Sequence, residues 1–214
     1  MPIGAQQRGA GPEGRGSKMV QPPDMSQTDD PLARHALLVI DPQRGFDDHA
    51  HWGGKRNNPS FEANVAALIA RWRLRGRPLV FVRHDSVEPA SPLRPGQPGN
   101  AFRSEIEGEP DLLVSKKTNS AFYGTPDLHR WLQERGCQGV VVTGIQTNHC
   151  CETTARMAGN LGYQTLFCLD ATFTFDRAGP DGTRFTSDQI AKMTATNLHG
   201  EFATVVSTRE LLER

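Results

Sequence analysis

Short apolar runs alternate with helix-period segments along most of this chain. His35–Asp41 (HALLVID) is an apolar run closed by a polar residue and Pro42, the form of a strand buried in a parallel sheet. Ser60 then caps a predicted helix in which Val65, Leu68, Ile69 and Trp72 recur at i, i+3, i+4 and i+7, with Gly76 as its stop. Pro78–His84 (PLVFVRH) reads as a second strand, followed by a long Pro/Gly-rich loop over 85–110 of the kind that is usually functional or mobile. Leu112–Lys116 is the third strand. Thr125-Pro126-Asp127 then offers a cap, a proline for the first helical position and an early acid, for a helix running to Gly136.

Gly139–Thr143 (GVVVT) makes a fourth strand, and a helix begins near Asn148 and stops at Gly162. Gln164–Asp170 is the fifth strand, Ser187–His199 a capped helix ended by Gly200, and Thr204–Ser207 a short sixth strand before a last helical turn. No hairpin signal joins two strands. Unbroken alternation of this kind predicts an α/β fold, a three-layer α/β/α sandwich on a parallel sheet with right-handed crossovers. In such sheets ligands bind beyond the carboxyl ends of the strands.

Residues 1–30 break the pattern. They hold five Gly (4, 9, 11, 14, 16) and four Pro (2, 12, 22, 23) with no periodicity, and read as a flexible tail before a single domain over 31–214. Lys+Arg and Asp+Glu both number 24, so the formal net charge is zero, which argues against nucleic acid or an anionic membrane as a partner held by bulk charge. No apolar run nears the 18 or so residues of a membrane span. The four cysteines, at 137, 150, 151 and 168, have no zinc spacing, and adjacent Cys150 and Cys151 are poorly placed for an ordinary disulfide. With no signal-peptide core at the start, the expectation is a reduced, cytoplasmic setting in which a conspicuous cysteine is reactive.

Three polar residues fall where ligands should bind. Asp41 closes the first strand, Lys116 the third, and Cys150 starts the helix after the fourth. Singly, each has an ordinary reading: a turn aspartate before proline, a solvated lysine, a small buried cysteine. Together they supply a carboxylate to take and return a proton, a cation, and a thiol whose thiolate a helix N-terminus and Lys⁺ favour. Those are the parts of acyl transfer through a thioester. A dinucleotide-binding reading fails, because the first strand leads into DPQRGF and not a glycine fingerprint.

At LLVIDPQRGF (37–46), VSKKTNSAFYGTPDL (114–128) and VVVTGIQTNHCCETTARMAGNLGY (140–163) the sequence resembles the isochorismatase-like cysteine hydrolases. The likeness runs from about 35 to 207. It implies a six-stranded parallel sheet of order 3-2-1-4-5-6 and an Asp–Lys–Cys triad on Asp41, Lys116 and Cys150. Lys116, and not Lys117, stands four before Ser120-Ala121-Phe122, as the family's V-x-K-x-x-x-S-A-F asks, and Cys150 follows Thr147 by three, as in its G-x-x-T-x-x-C. Cys151 sits where a packing Val is usual. Adjacent helix residues point about 100° apart, so Cys151 reads as structural.

The resemblance also implies a cis peptide at Ile145–Gln146 and an oxyanion hole from the backbone N–H groups of Gln146 and Cys150. Gln43, Phe46, Trp52, Phe122, Tyr123 and Gln146 are the candidate substrate contacts, with Phe173 and Phe175 following the fifth strand and Arg94 and Arg103 on a loop that could cover the site. His49 and His51 lack a convincing third ligand and read as a solvated loop, so no metal and no cofactor is expected; the nicotinamidases' D-W-H metal motif is replaced here by Arg83-His84-Asp85-Ser86. The expected partner is a small-molecule substrate, an amide or lactam with streptothricin-type lactams among the candidates, and the expected assembly a homodimer or larger. Two rival readings are a vinyl-ether hydrolase of the isochorismatase type, with Asp41 as its acid, and a non-catalytic or redox-sensing module using Cys150 and Cys151. One tension concerns reach. In that strand order Lys116 lies two strand spacings of about 4.8 Å from Asp41.

Overall fold

The computed structural model describes residues 30–106 and 108–214. The tail expected over 1–30 therefore lies outside the described residues, apart from Asp30, whose carboxylate accepts from the buried Arg77 guanidinium.

Six strands form one parallel sheet: β1 (His35–Ile40), β2 (Leu79–His84), β3 (Leu112–Lys116), β4 (Gly139–Ile145), β5 (Gln164–Phe173) and β8 (Thr204–Val206), in the order β3-β2-β1-β4-β5-β8. This is the expected order, the last strand taking a higher number because of a small hairpin. That hairpin, β6 (Arg177–Ala178) with β7 (Arg184–Phe185), is antiparallel and corrects the expectation of none. Two-residue strands fall below what hydrophobic alternation can reveal.

The apolar runs are continuous because both sheet faces are covered. In β1, Leu37 and Val39 join one core with α2 (Phe61–Leu74) and α6 (Thr208–Glu213), while Leu38 and Ile40 join the opposite one with α3 (Leu128–Glu134), α4 (Glu152–Asn160) and α5 (Ser187–Leu198). Every β1 side chain is buried. Each fully buried Leu, Ile or Val contributes roughly 1.5–3 kcal/mol by leaving water, so the two cores together hold the layers.

Several helix starts differ by a residue or two from expectation. Ser60 makes no side-chain cap to α2. At α3 the cap is Asp127, accepting from the Arg130 N–H at 3.1 Å, while Thr125 exchanges backbone bonds with Ser115 and the Thr125–Pro126 bond is cis. Thr186 caps α5 through a capping box with Gln189. The helix α1 (His49–Trp52) is a single turn. β5 continues past Asp170 to Phe173, with an irregular register against β4 beyond Val142. No helix among the described residues is long and apolar enough to cross a membrane.

Candidate active site

The site is built where β1, β3 and β4 end. Asp41 follows β1 with a positive φ of 47°, a region that Asp tolerates better than most residues, and is fully buried. β4 comes close to β1 at Gly144 (φ 122°), where a Cβ would collide with the Ile40 backbone; only glycine fits there. The Ile145–Gln146 peptide is cis, as the resemblance implied. The chain then winds through a π-type turn, Thr147–Cys151, into α4. The Gln146 carbonyl accepts from the amides of His149 (3.1 Å) and Cys151 (3.2 Å) and passes over that of Cys150.

Lys116 does reach across the strand ends. Its Nζ lies 2.7 Å from Asp41 Oδ2 and 3.2 Å from Cys150 Sγ, and both charged side chains are wholly buried. The route passes His84, the β2 residue paired with Lys116, whose Nδ1 is 2.9 Å from the ammonium. His84 thus completes a four-residue cluster, with Nδ1 4.0 Å from Cys150 Sγ and 3.9 Å from Asp41 Oδ2. Asp41 Oδ1 is buried with no partner.

The electrostatics follow from burial. Burial alone would lower the Lys116 ammonium, but Asp41 and then Cys150 outweigh it and hold Lys116 above the usual lysine range. Burial pushes the Cys150 thiol far up and Asp41 adds to it, while Lys116 pulls the other way and loses. Lys116 favours the thiolate, as expected, but burial and Asp41 outweigh it. His84 is lowered by burial and then by Lys116, against the opposite pull of Asp41 and Asp85. Alkylation of Cys150 in the substrate-free protein should therefore keep accelerating as pH rises through 9. A plateau by pH 7, measured by peptide mass spectrometry, would show a resting thiolate instead.

A cavity of about 510 Å³ opens onto this cluster. Of the expected contacts, Phe46, Trp52 and Gln146 line it, with the Phe46 and Trp52 rings 4.7 Å apart. Three do not. Gln43 is a buried staple: its amide donates to the carbonyls of His84 (3.1 Å) and Asn100 (3.0 Å) and its oxygen accepts from the His84 N–H (2.8 Å), which pins the long loop to β2. Phe122 stacks on Tyr163 at 6.0 Å, away from the cavity, and Tyr123 is exposed. Phe173 and Phe175 are core. Arg103 is buried against Asp47 and Glu62, and exposed Arg94 donates to the Pro89 carbonyl, so neither covers the thiol.

Sequence reasoning missed His84, Asn119 and His149 as lining residues. His84 ends its strand just as Lys116 does, so the strand-end rule could have found it. Of the expected solvated pair, His51 lines the mouth and His49 packs edge-on against Phe175. Cys151 is fully buried with Sγ 3.8 Å from the Thr143 carbonyl, as a structural cysteine should be. Asp41, His84 and Cys150 bring three metal-ligating atoms within 4.8 Å of one another, but the Lys116 ammonium contacts all three residues and fills the position a cation would take.

Residues 35–210 match the isochorismatase domain. The chain belongs to the isochorismatase family. Among family relatives it is similar to the uncharacterized isochorismatase family protein YrdC of Bacillus subtilis, 34% identical over 180 residues that cover 84% of this chain and 95% of the relative. It is also similar to Nicotinamidase 3 of Arabidopsis thaliana, 33% identical over 190 residues, covering 82% and 86%. Among solved structures, a putative isochorismatase-family hydrolase from Chromobacterium violaceum superposes with a TM-score of 0.79 at 43% identity, covering 85% of this chain and 93% of that one. This isochorismatase-family hydrolase thus keeps the family's fold over nearly all of its described length.

Proposed function

We propose that the protein hydrolyses a small amide or lactam through a thioester on Cys150. The observation that carries this reading is the buried Lys116 ammonium bridging Asp41 Oδ2 (2.7 Å) and Cys150 (3.2 Å), with Asp41 Oδ1 left without a partner. A buried carboxylate joined to a thiol through one shared ammonium, with one oxygen free of any donor, suits a proton acceptor. Similarity to a protein named as a nicotinamidase supports a C–N bond as the target.

In the proposed cycle Asp41 takes the Cys150 proton as Sγ attacks the substrate carbonyl. Backbone N–H groups of Gln146 and Cys150 receive the oxyanion, and Lys116 balances the charge that passes between Asp41 and the thiol. Collapse of the tetrahedral intermediate breaks the C–N bond, and the amine leaves with the proton held by Asp41. Water, deprotonated by Asp41, then attacks the thioester, releasing the carboxylic acid and returning the proton to Cys150. Because burial leaves Cys150 as a thiol at rest, proton transfer to Asp41 belongs to the attack itself.

Asp41→Asn keeps the shape and removes the base, so turnover should fall by about 10²–10⁴-fold. The reading is tested by incubating the full chain with a panel of primary amides, lactams and isochorismate and weighing the products. Water added across an amide or lactam supports it, and an Asp41→Asn protein with undiminished rates would remove Asp41 from the mechanism. A vinyl-ether hydrolase would instead open isochorismate with no need of the thiol.

A further inference from the structure

The lining of the cavity bears on the charge of what enters it, given the reading that Cys150 attacks a carbonyl. Lys116 is the cation at the thiol, and an ammonium has three N–H bonds. Its three short contacts are Asp41 Oδ2, Cys150 Sγ and His84 Nδ1, and the side chain is fully buried. No N–H is left over for a substrate carboxylate.

Two of the three lining imidazoles do not replace it. A ring nitrogen that accepts from an ammonium carries no proton, so His84 is neutral, with its hydrogen on Nε2. A guanidinium only donates, and Arg177 lies against both ring nitrogens of His149, Nδ1 at 3.4 Å and Nε2 closer still. Burial first, and Arg177 next, bring the His149 imidazolium down to about 4. His51 sits at the mouth, its ring edge-on to Trp52 at 4.6 Å. Besides Asp41, which Lys116 pairs, the carboxylate on the lining is that of exposed Glu88. Among the described lining residues no guanidinium and no unengaged ammonium faces the thiol.

We propose that this site admits acyl donors without negative charge, neutral or cationic amides and lactams, and turns carboxylates away, because its ammonium is saturated by Asp41, Cys150 and His84 while Glu88 stands on the lining. A carboxylate entering the cavity would shed water without gaining a hydrogen-bonded ion partner and would meet the unpaired charge of Glu88, Asp41 being matched by Lys116. Neutral amides meet neither cost, and Gln146 and Asn119 offer them amide partners. The proposal separates this pocket from one built for isochorismate, which carries two carboxylates.

Iodoacetamide and iodoacetate differ little in size and much in charge. Each forms an S–CH2 bond and expels iodide, with the thiol proton passing to solvent. Alkylation of Cys150 in the full chain is followed by peptide mass spectrometry at pH 8, above the ordinary imidazole range, in low salt. Each rate is divided by that of 2-mercaptoethanol with the same reagent. The expected preference for iodoacetamide is about tenfold, and Glu88→Arg should cut it by at least half. A wild-type preference below threefold, or one untouched by Glu88→Arg, overturns the proposal while leaving the nucleophile in place. A Cys150 unreactive to both reagents at pH 8 and still unreactive at pH 10 overturns the proposal and the thioester reading together.

Discussion

Cys150→Ala is expected to lower turnover of the amide or lactam substrate by at least about 10⁴-fold, the scale on which removing a covalent nucleophile acts. The fold should survive. Cys150 contributes one small side chain to a core whose larger members include Phe167, Leu38, Leu128 and Leu132. Product mass spectrometry on wild type and variant side by side, with a thermal melt of each, checks both halves of the expectation. Isochorismate turnover that survives the substitution would move the chemistry onto Asp41. Amide hydrolysis that survives it would end the thioester mechanism.

Lys116→Met should strike activity and stability at once. Met keeps most of the aliphatic stem and deletes the ammonium, leaving Asp41 charged, fully buried and unpaired, and His84 Nδ1 without its donor. Breaking a buried ion pair by removing one partner costs about 3–5 kcal/mol, since the survivor has lost both water and partner. A urea titration should show the midpoint shifted with little change in slope, and turnover should drop by the 10²–10⁴-fold or so expected when proton transfer is disabled. Lys117→Met is the control: Lys117 is exposed, and its loss should change stability by less than about 0.5 kcal/mol. A Lys116→Met protein as stable as wild type would mean that Asp41 takes up a proton and so escapes the penalty.

Much of this was legible in the chain because the constraints are local or periodic. Runs such as Ala36–Ile40 and Val140–Val142 are apolar at every position, which suits strands covered on both faces, and the structure covers both. Motif spacing separated Lys116 from Lys117 and Cys150 from Cys151, choices that composition could not make. Direction of side chains was less accessible. Phe122 and Tyr123 sit in the same motif as Lys116, yet one stacks on Tyr163 and the other faces solvent. Gln43 lies two residues past Asp41 and turned out to clamp a loop, because its partners at His84 and Asn100 are 41 and 57 residues away. The balance of forces on the thiol is hard to read from sequence for a related reason. Helix position and a nearby cation are visible in sequence, whereas the depth of burial that outweighs them depends on the whole sheet.

The strand order has a consequence for how the molecule fails. β3 is one edge of the sheet; beyond its pairing with β2, its outer side carries, among the described residues, the single bridge from Ser115 to Thr125. The cation that joins the proposed base and nucleophile thus rides on a strand held firmly from one side alone, while Asp41 and Cys150 follow the central strands. Edges open more readily than centres. Catalytic competence is therefore tied to the fraying of one border strand, and the enzyme can fall silent while most of its sheet is still intact.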